Sequence, residues 1–481
     1  MEILSYSIYV LMALGAAITV VLALGFGFHF DRIIRRYLIT LIPIFIALAI
    51  GASSVASGRN VSFYGLSGAD VIMSAGWLGS WILRLTTAMI VGASVVVTLS
   101  ALMRRDFGFG PGGALIALFM AYFASCYVVS GVFGSEPSFS HKNFYAPFVF
   151  FAAYLTRDQS LDSFICRSRD GLNIFIIMGL LVGAILPHIA VQNGYSGIIP
   201  GITFRFWGVA SHANNLGPIA VVFLLLLMWK PYRWLGLNAL SVIAALISLF
   251  LSQSKTAWIA GTAGLMVLLG YQMICIIREA KIGKQVTLAQ FAWISGPLVL
   301  AFSLVVAVSI GIELGLGDTA LAQLSDQSSL LTGRDIIWSI TLNEWEANPL
   351  FGYGPSLWGN EFAARQGYLG VASNAHNQFV DALGSSGILG ILCFVAYLLL
   401  LLKYAWSLSG STRGIALALV VFVLVRCVTE VPLKTANVTT TDFLIHFILF
   451  NVLLRAKFTM AKAPVPSPKR PRFTQTSYSS L

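Results

Sequence analysis

The chain has 481 residues, 57% hydrophobic and 10% charged, and its mean hydropathy of +0.83 excludes an ordinary soluble domain. The net charge of +11 does not mark a nucleic-acid binder: no RNA- or DNA-binding motif occurs, and the Lys and Arg residues fall where membrane topology puts them. The composition is that of an all-α polytopic membrane protein.

The first apolar run, Ile8 to Phe28, is long enough to cross a bilayer, which takes about 20 residues, and no small-residue cleavage site follows it, so it reads as a retained helix. Further runs predict helices near 37–56, 80–102, 113–133, 144–156, 172–191, 214–229, 235–252, 256–277, 291–312, 386–405, 414–428 and 441–454, giving 12 or 13 membrane helices. Alternate connections and helix ends, with the tail after residue 454, hold 21 of the 30 basic residues, which makes that side cytoplasmic. The excess charge also favours contact with anionic membrane lipids. The opposite, outer face receives the loops at 57–79, 134–143, 192–213, 253–255, 313–385 and 429–440.

The five cysteines show no CxxC and no metal-ligand spacing, so no disulfide framework is implied. Residues 457–481 are rich in Pro, Ser, Lys and Arg and are expected to form a disordered tail behind a transmembrane domain spanning 1–456.

The one large extramembrane segment is 313–385. Within it "LTGRDIIWSITLNEWEANP" predicts a helix with Thr332 as N-cap and Asn348-Pro349 as its end. Ile337, Trp338, Thr341, Leu342 and Trp345 share one side, the pattern of a helix lying on a membrane surface. Arg334 at its start opposes the helix dipole, so helix stability does not account for it; an anion site there and an arginine reaching lipid headgroups are both open. Glu344 and Glu346 point to different sides of such a helix and make a poor metal site.

In "SNAHNQFVDALGSSG" (373–387), Ser373 or Asn374 is expected to cap a helix that stops or hinges at Gly384. His376 then shares a face with Phe379, Val380 and Leu383, with Asn377 and Asp381 on the neighbouring face. A single histidine in such a place is more often structural than catalytic. Two other outer segments change its context: "FRFWGVASHANNLG" carries Arg205 and His212 to the start of a helix, with Asn214 or Asn215 near its cap, and "SQSKTAWIAG" carries Lys255 in a tight turn. Arg205, Lys255 and Arg334 from three segments of one face, beside His376, suit a polyanion such as a diphosphate. Arg426 and Glu430, four apart, read as a structural ion pair, and Arg84 within a membrane run has no assigned part.

"RFWGVASHANNLG", "SQSKTAWIAG", "GRDIIWSITLNEWEANPLFGYG" and "AHNQFVDALGSSGILG", in this order over roughly residues 200–400, resemble the successive signature blocks of the bacterial O-antigen ligase and polymerase superfamily, including exopolysaccharide polymerases. The resemblance implies a glycosyltransferase of the multi-helix GT-C type in the bacterial inner membrane, with a large periplasmic loop and a periplasmic active face. It implies a glycan on undecaprenyl diphosphate as donor, an acceptor glycan or lipid A core as acceptor, and neither cofactor nor metal. Carried onto this chain, Arg205 and Arg334 are expected on the carrier diphosphate and His376 at the catalytic position, with His212, Asn377 and Asp381 as candidate support. Lys255 stands where many members have arginine, which keeps the charge and loses the bidentate fork. Polymerisation of O-antigen or exopolysaccharide repeat units is the favoured activity, ligation to lipid A core its close alternative, and a chain-length regulator a candidate protein partner. A transporter or flippase is disfavoured, since the charged groups gather at one face rather than at a midplane.

Overall fold

The computed structural model describes residues 33–62, 76–104, 108–195, 199, 201–281, 334–367, 372–435 and 437–462, with Gly25 and His29 besides. The predicted helices near 8–28 (Gly25 apart) and 291–312, the expected cap Thr332 and the tail from 463 lie outside the described residues.

The protein is all-α and polytopic, as the hydropathy requires. In chain order it contains α1 (Ile39–Ala56), α2 (Gly76–Met103), α3 (Gly113–Phe133), α4 (Tyr145–Leu155), α5 (Leu161–Ile185), α6 (Ala213–Trp229), α7 (Leu235–Leu251), α8 (Lys255–Lys281), α9 (Arg334–Ala347), α10 (Gln378–Ser407), α11 (Ile415–Thr429) and α12 (Thr441–Lys462). Among the described residues seven of these are long and apolar enough to cross a membrane (α1, α2, α3, α5, α8, α10 and α12); α6, α7 and α11 are shorter apolar helices. A two-stranded antiparallel ribbon, β1 (Val191–Asn193) and β2 (Phe204–Phe206), interrupts the helices between α5 and α6.

Three helices outrun their apolar stretches by two turns or more. α5 starts at Leu161 behind the Ser160 cap, well before the predicted 172, because its polar first turns are matched: Asp162 pairs with Lys230 at 2.6 Å and Arg169 with Asp170 at 2.8 Å. α10 begins at Gln378 rather than 386. α12 continues to Lys462, so residues 457–462 of the expected tail are helical. Hydropathy reports the apolar portion of a helix and is blind to polar turns that find partners.

α12 is the central helix, with 78% of its most apolar stretch buried. It touches α1, α4, α5, α6, α10 and α11, while α8 packs along α11 and α1 along α2 and α5. Burial on all sides explains why α12 is apolar all round its middle, from Phe443 to Phe450, apart from His446, whose Nε2 meets the Tyr397 hydroxyl at 2.8 Å.

The loops assigned to the outer face by charge share one end of the bundle. Val61 N donates to His188 O and Asn193 N to Ser62 O, while Ser135 N and Glu136 N donate to Gly352 O and Tyr353 O. At the other end Trp229 Nε1 donates to Thr412 O, and Lys230 meets Asp162.

α9 departs from the expected membrane-surface helix. Ile337 and Thr341 are buried in a small core with Tyr353, Leu357, Trp358 and Phe362, packed on α10, and Trp358 Nε1 donates to Thr341 Oγ1 at 2.9 Å. The Ile337, Trp338 and Thr341 part of the stripe is covered by protein because the loop after α9 folds back over it, while Leu342 and Trp345 stay partly exposed.

The expected hinge at Gly384 lies instead at Gly387, where α10 breaks with φ 62° and ψ −161°. A side chain there would meet Leu350 C at 2.3 Å, so glycine is required by both conformation and space. The 349–354 loop supplies the missing backbone partners: Ile388 N donates to Pro349 O, and Tyr353 N and Gly354 N donate to Gly384 O and Ser385 O.

Candidate active site

The ribbon places Arg205 opposite Gln192, in the register Val191↔Phe206, Gln192↔Arg205 and Asn193↔Phe204. Trp207, fully buried, fixes this ribbon by donating from Nε1 to Gln192 Oε1 at 3.0 Å. Arg59 fixes the loop that follows. Its buried guanidinium donates to the carbonyls of Ile189, Gly208 and Ala210 at 3.0, 2.9 and 2.7 Å. So held, Arg205 donates from Nε to Ser252 O at 2.7 Å, which ties it to the turn before α8, and from Nη2 to Asn214 Oδ1. Its guanidinium also lies over the Tyr195 ring, 4.8 Å from the centroid.

His212, rather than an asparagine, caps α6. Its Nδ1 accepts from Asn214 N at 3.1 Å, and its ring lies against Trp207. Burial, together with the nearby Arg205 and His376 charges, pushes its pKa down to about 3 against an opposing pull from Glu430. His212 is therefore neutral near pH 7, and with Nδ1 accepting, its proton sits on Nε2. Asn214 is freed from capping and bridges Arg205 to Glu430, donating from Nδ2 to Glu430 Oε1 at 3.4 Å.

Arg334 opens the described part of α9 and reaches the C-terminus of α11. It donates from Nη1 to Thr429 O at 2.8 Å and from Nη2 to Glu430 Oε1 at 3.3 Å. A cation suits that end of a helix, where carbonyls lack partners. Arg334 thus stands at the first described residue of α9, as expected, and its guanidinium is also held by a helix C-terminus and a carboxylate.

His376 precedes α10 and does not share its apolar face as expected. The cap is Asn377, not Ser373 or Asn374; its Oδ1 accepts from Phe379 N and Val380 N at 2.9 and 3.2 Å, and its Nδ2 donates to Val428 O at 3.0 Å. His376 has φ 48°, a left-handed conformation uncommon outside glycine, held by Asn374 Oδ1 accepting from His376 N at 2.8 Å. Its neighbour Ala375 is pinned on both sides: N donates to Asp381 Oδ1 at 3.0 Å, and O accepts from Trp338 Nε1 at 2.7 Å. Asp381 thus bonds back to the His376 turn from inside the protein, instead of sharing an open face with Asn377.

His376 Nδ1 then lies 3.3 Å from Glu430 Oε2. Glu430 is the meeting point, contacted by Asn214, Arg334 and His376 from three separate segments. Burial pushes its carboxyl up, but the His376 hydrogen bond and the charges of His376, Arg334 and Arg426 outweigh this and leave its pKa lowered. The expected Arg426–Glu430 ion pair is corrected: Arg426 is bonded to Asp442, 3.0 Å away, which leaves both Glu430 oxygens to the site.

Lys255 stands apart. It is exposed at the first residue of α8, although the next residue, Thr256, accepts from Thr429 Oγ1 at 3.0 Å and so joins that turn to the Glu430 corner. Arg84 is exposed and lies over the Trp81 ring. Arg205, Arg334, His376 and His212 are thus brought together, with Asn377 and Asp381 holding the turn beside them. Glu430, Asn214 and Arg59 were not assigned to the site from sequence. The signal for Glu430 was its place at a helix C-terminus, where an acid is unfavourable unless cations answer it.

The arrangement offers two arginines, a histidine whose Nδ1 faces a carboxylate, and partial access to solvent: the His376 and Arg334 side chains are 24% and 18% exposed. It can bind an anion and exchange a proton. Residues 240–395 match the family model described as O-Antigen ligase, which bears out the resemblance to the ligase and polymerase superfamily. No curated protein matches the chain.

Proposed function

We propose that the protein is a glycosyltransferase that moves a glycan from undecaprenyl diphosphate to an acceptor hydroxyl, at the periplasmic face of a bacterial inner membrane. The reading is carried by one observation: Arg205, Arg334 and His376, distant in sequence, are bound into one corner through Asn214 and Glu430. The O-Antigen ligase match over residues 240–395 agrees with it.

The donor already carries its leaving group, so the protein must hold the diphosphate, offset the charge that grows on it, and orient the acceptor. Arg205 and Arg334 take the first two tasks as preformed donors. His376 takes the third. With Nδ1 donating to Glu430, Nε2 keeps its lone pair and removes the acceptor proton as its oxygen attacks the anomeric carbon. The bond between the anomeric carbon and the bridging oxygen of the diphosphate breaks as the new glycosidic bond forms, the configuration inverts, and the diphosphate leaves with that bond's electron pair, the acceptor proton resting on His376.

The sequence reading favours polymerisation of repeat units; the description of the matched family favours ligation to lipid A core. A clean deletion strain separates them when its lipid-linked glycans and surface polysaccharide are extracted, and the extraction is repeated after rescue with wild type, His376→Ala or Arg334→Ala. Single repeat units accumulating on the lipid identify a polymerase. Long lipid-linked chains beside bare lipid A core identify a ligase. Unchanged profiles in the deletion sink the transfer reading for those polysaccharides.

A further inference from the structure

A second polar recess lies on the inner flank of the His376 turn. It opens to solvent, spans about 350 Å³ counting its mouth, and has enclosed room of about 20 Å³, enough for one water-sized group. Its walls come from the first turns of α10 (Asp381 and Ser385), from α3 (Tyr122), from the loop after α11 (Lys434) and from Pro355 and Leu357 above.

Three observations define what it takes. Lys434 Nζ and Asp381 Oδ2 stand 3.6 Å apart, longer than a hydrogen bond, so each has capacity left. An ammonium only donates and a carboxylate only accepts, so the group that serves both is one that accepts and donates at a single oxygen, which a hydroxyl shares with water. The pair is neutral overall, which disfavours a free anion or cation. Finally, Ser356 Oγ, next in sequence to the wall residue Pro355, is buried without a hydrogen-bond partner.

We infer that this recess is a sugar subsite, in which a ring hydroxyl of the glycan enters to bridge Lys434 and Asp381 while the ring itself stays in the mouth beside Pro355. The inference rests on the glycan-transfer reading above. Position supports it: Asp381, through its other oxygen, holds the residue before His376, so a sugar seated here is fixed relative to the reacting hydroxyl.

The test uses the full-length protein in detergent, with lipid-linked glycan extracted from the deletion strain as substrate and bare polyprenyl diphosphate as inhibitor. Lys434→Met is expected to raise KM for the glycan about tenfold, with kcat within about twofold, and Ser385→Ala to raise KM less. The inhibition constant of the bare diphosphate, which has no sugar, stays as in wild type and also reports that the variants are folded. An unchanged KM in the Lys434→Met/Ser385→Ala double variant means that the recess holds water only and overturns the inference. KM and inhibition constant worsening together means a structural defect and overturns it equally. No turnover of the lipid-linked glycan by wild type overturns the transfer reading itself, a result distinct from both.

Discussion

His376 and Glu430 are 54 residues apart in sequence, yet Nδ1 of one lies 3.3 Å from Oε2 of the other, across the gap between the starting turn of α10 and the end of α11. Two positions that are each costly locally, a left-handed histidine and an acid at a helix C-terminus, are thereby made compatible.

Glu430 gives a prediction about acid stability. Its pKa is lowered in the fold, so its stabilising contribution is fully present above the unfolded value, near 4.5, and is lost as pH falls through the lower folded value. Melting curves of the detergent-solubilised protein should lose Tm below about pH 4.5 in wild type and lose less in Glu430→Gln. The same variant, with no carboxylate to orient His376, should lower kcat by about 10²-fold or more.

His212 acts in a different window. Its pKa is lowered to about 3 from an ordinary 6.5, so the unfolded chain binds the extra proton first, and stability declines as pH falls from 6.5 towards 3. His212→Asn keeps a cap acceptor and should flatten that decline. His212→Leu leaves Asn214 N without its acceptor and should cost about 1 kcal/mol at neutral pH, read as a lower Tm.

Arg334 and Lys255 should separate sharply. Arg334 reaches Thr429 O and Glu430 through two nitrogens, which a lysine cannot reproduce, so Arg334→Lys should lose about 10- to 100-fold in turnover. Lys255 is exposed and takes no part in those bonds; Lys255→Ala should stay within about threefold in the same assay.

Gly387→Ala tests the broken helix. The added carbon would lie 2.3 Å from Leu350 C in a backbone conformation strained for any side chain, and the predicted loss exceeds about 3 kcal/mol. The expected result is a collapse in folded yield on size-exclusion chromatography, whereas Gly410→Ala, with only the tip of Tyr271 at 3.5 Å, elutes as wild type.

What was legible in the sequence was whatever leaves a periodic or compositional trace. Apolar runs placed α1, α6 and α7 to within two residues at either end, and the basic residues sorted the loops onto one end of the bundle. Arg205, Arg334 and His376 stood out because charged and titratable groups in an apolar chain need a reason, and the structure brings them together. The local geometry of His376 was not. Residues 373–378 fit a helix start at several registers, and the choice of Asn377 as cap depends on Asp381 and Trp338 bonding Ala375 from elements brought close only by folding. Glu430 was read as a partner of Arg426 because spacing of four allows it. Asp442, on the next helix, takes Arg426 instead, and no local pattern encodes that exchange.

The Glu430 carboxylate among the arginines also makes the corner selective by charge. It is an internal ligand already seated on Arg334, and an incoming anion must do better than it does. A phospholipid headgroup with one negative charge, abundant around any membrane protein, offers Arg334 no more than Glu430 already gives. A diphosphate brings more charge and more oxygens and can engage the arginines beside the carboxylate. If the proposed function holds, the consequence is a site that distinguishes a diphosphate carrier from the lipid phosphates around it.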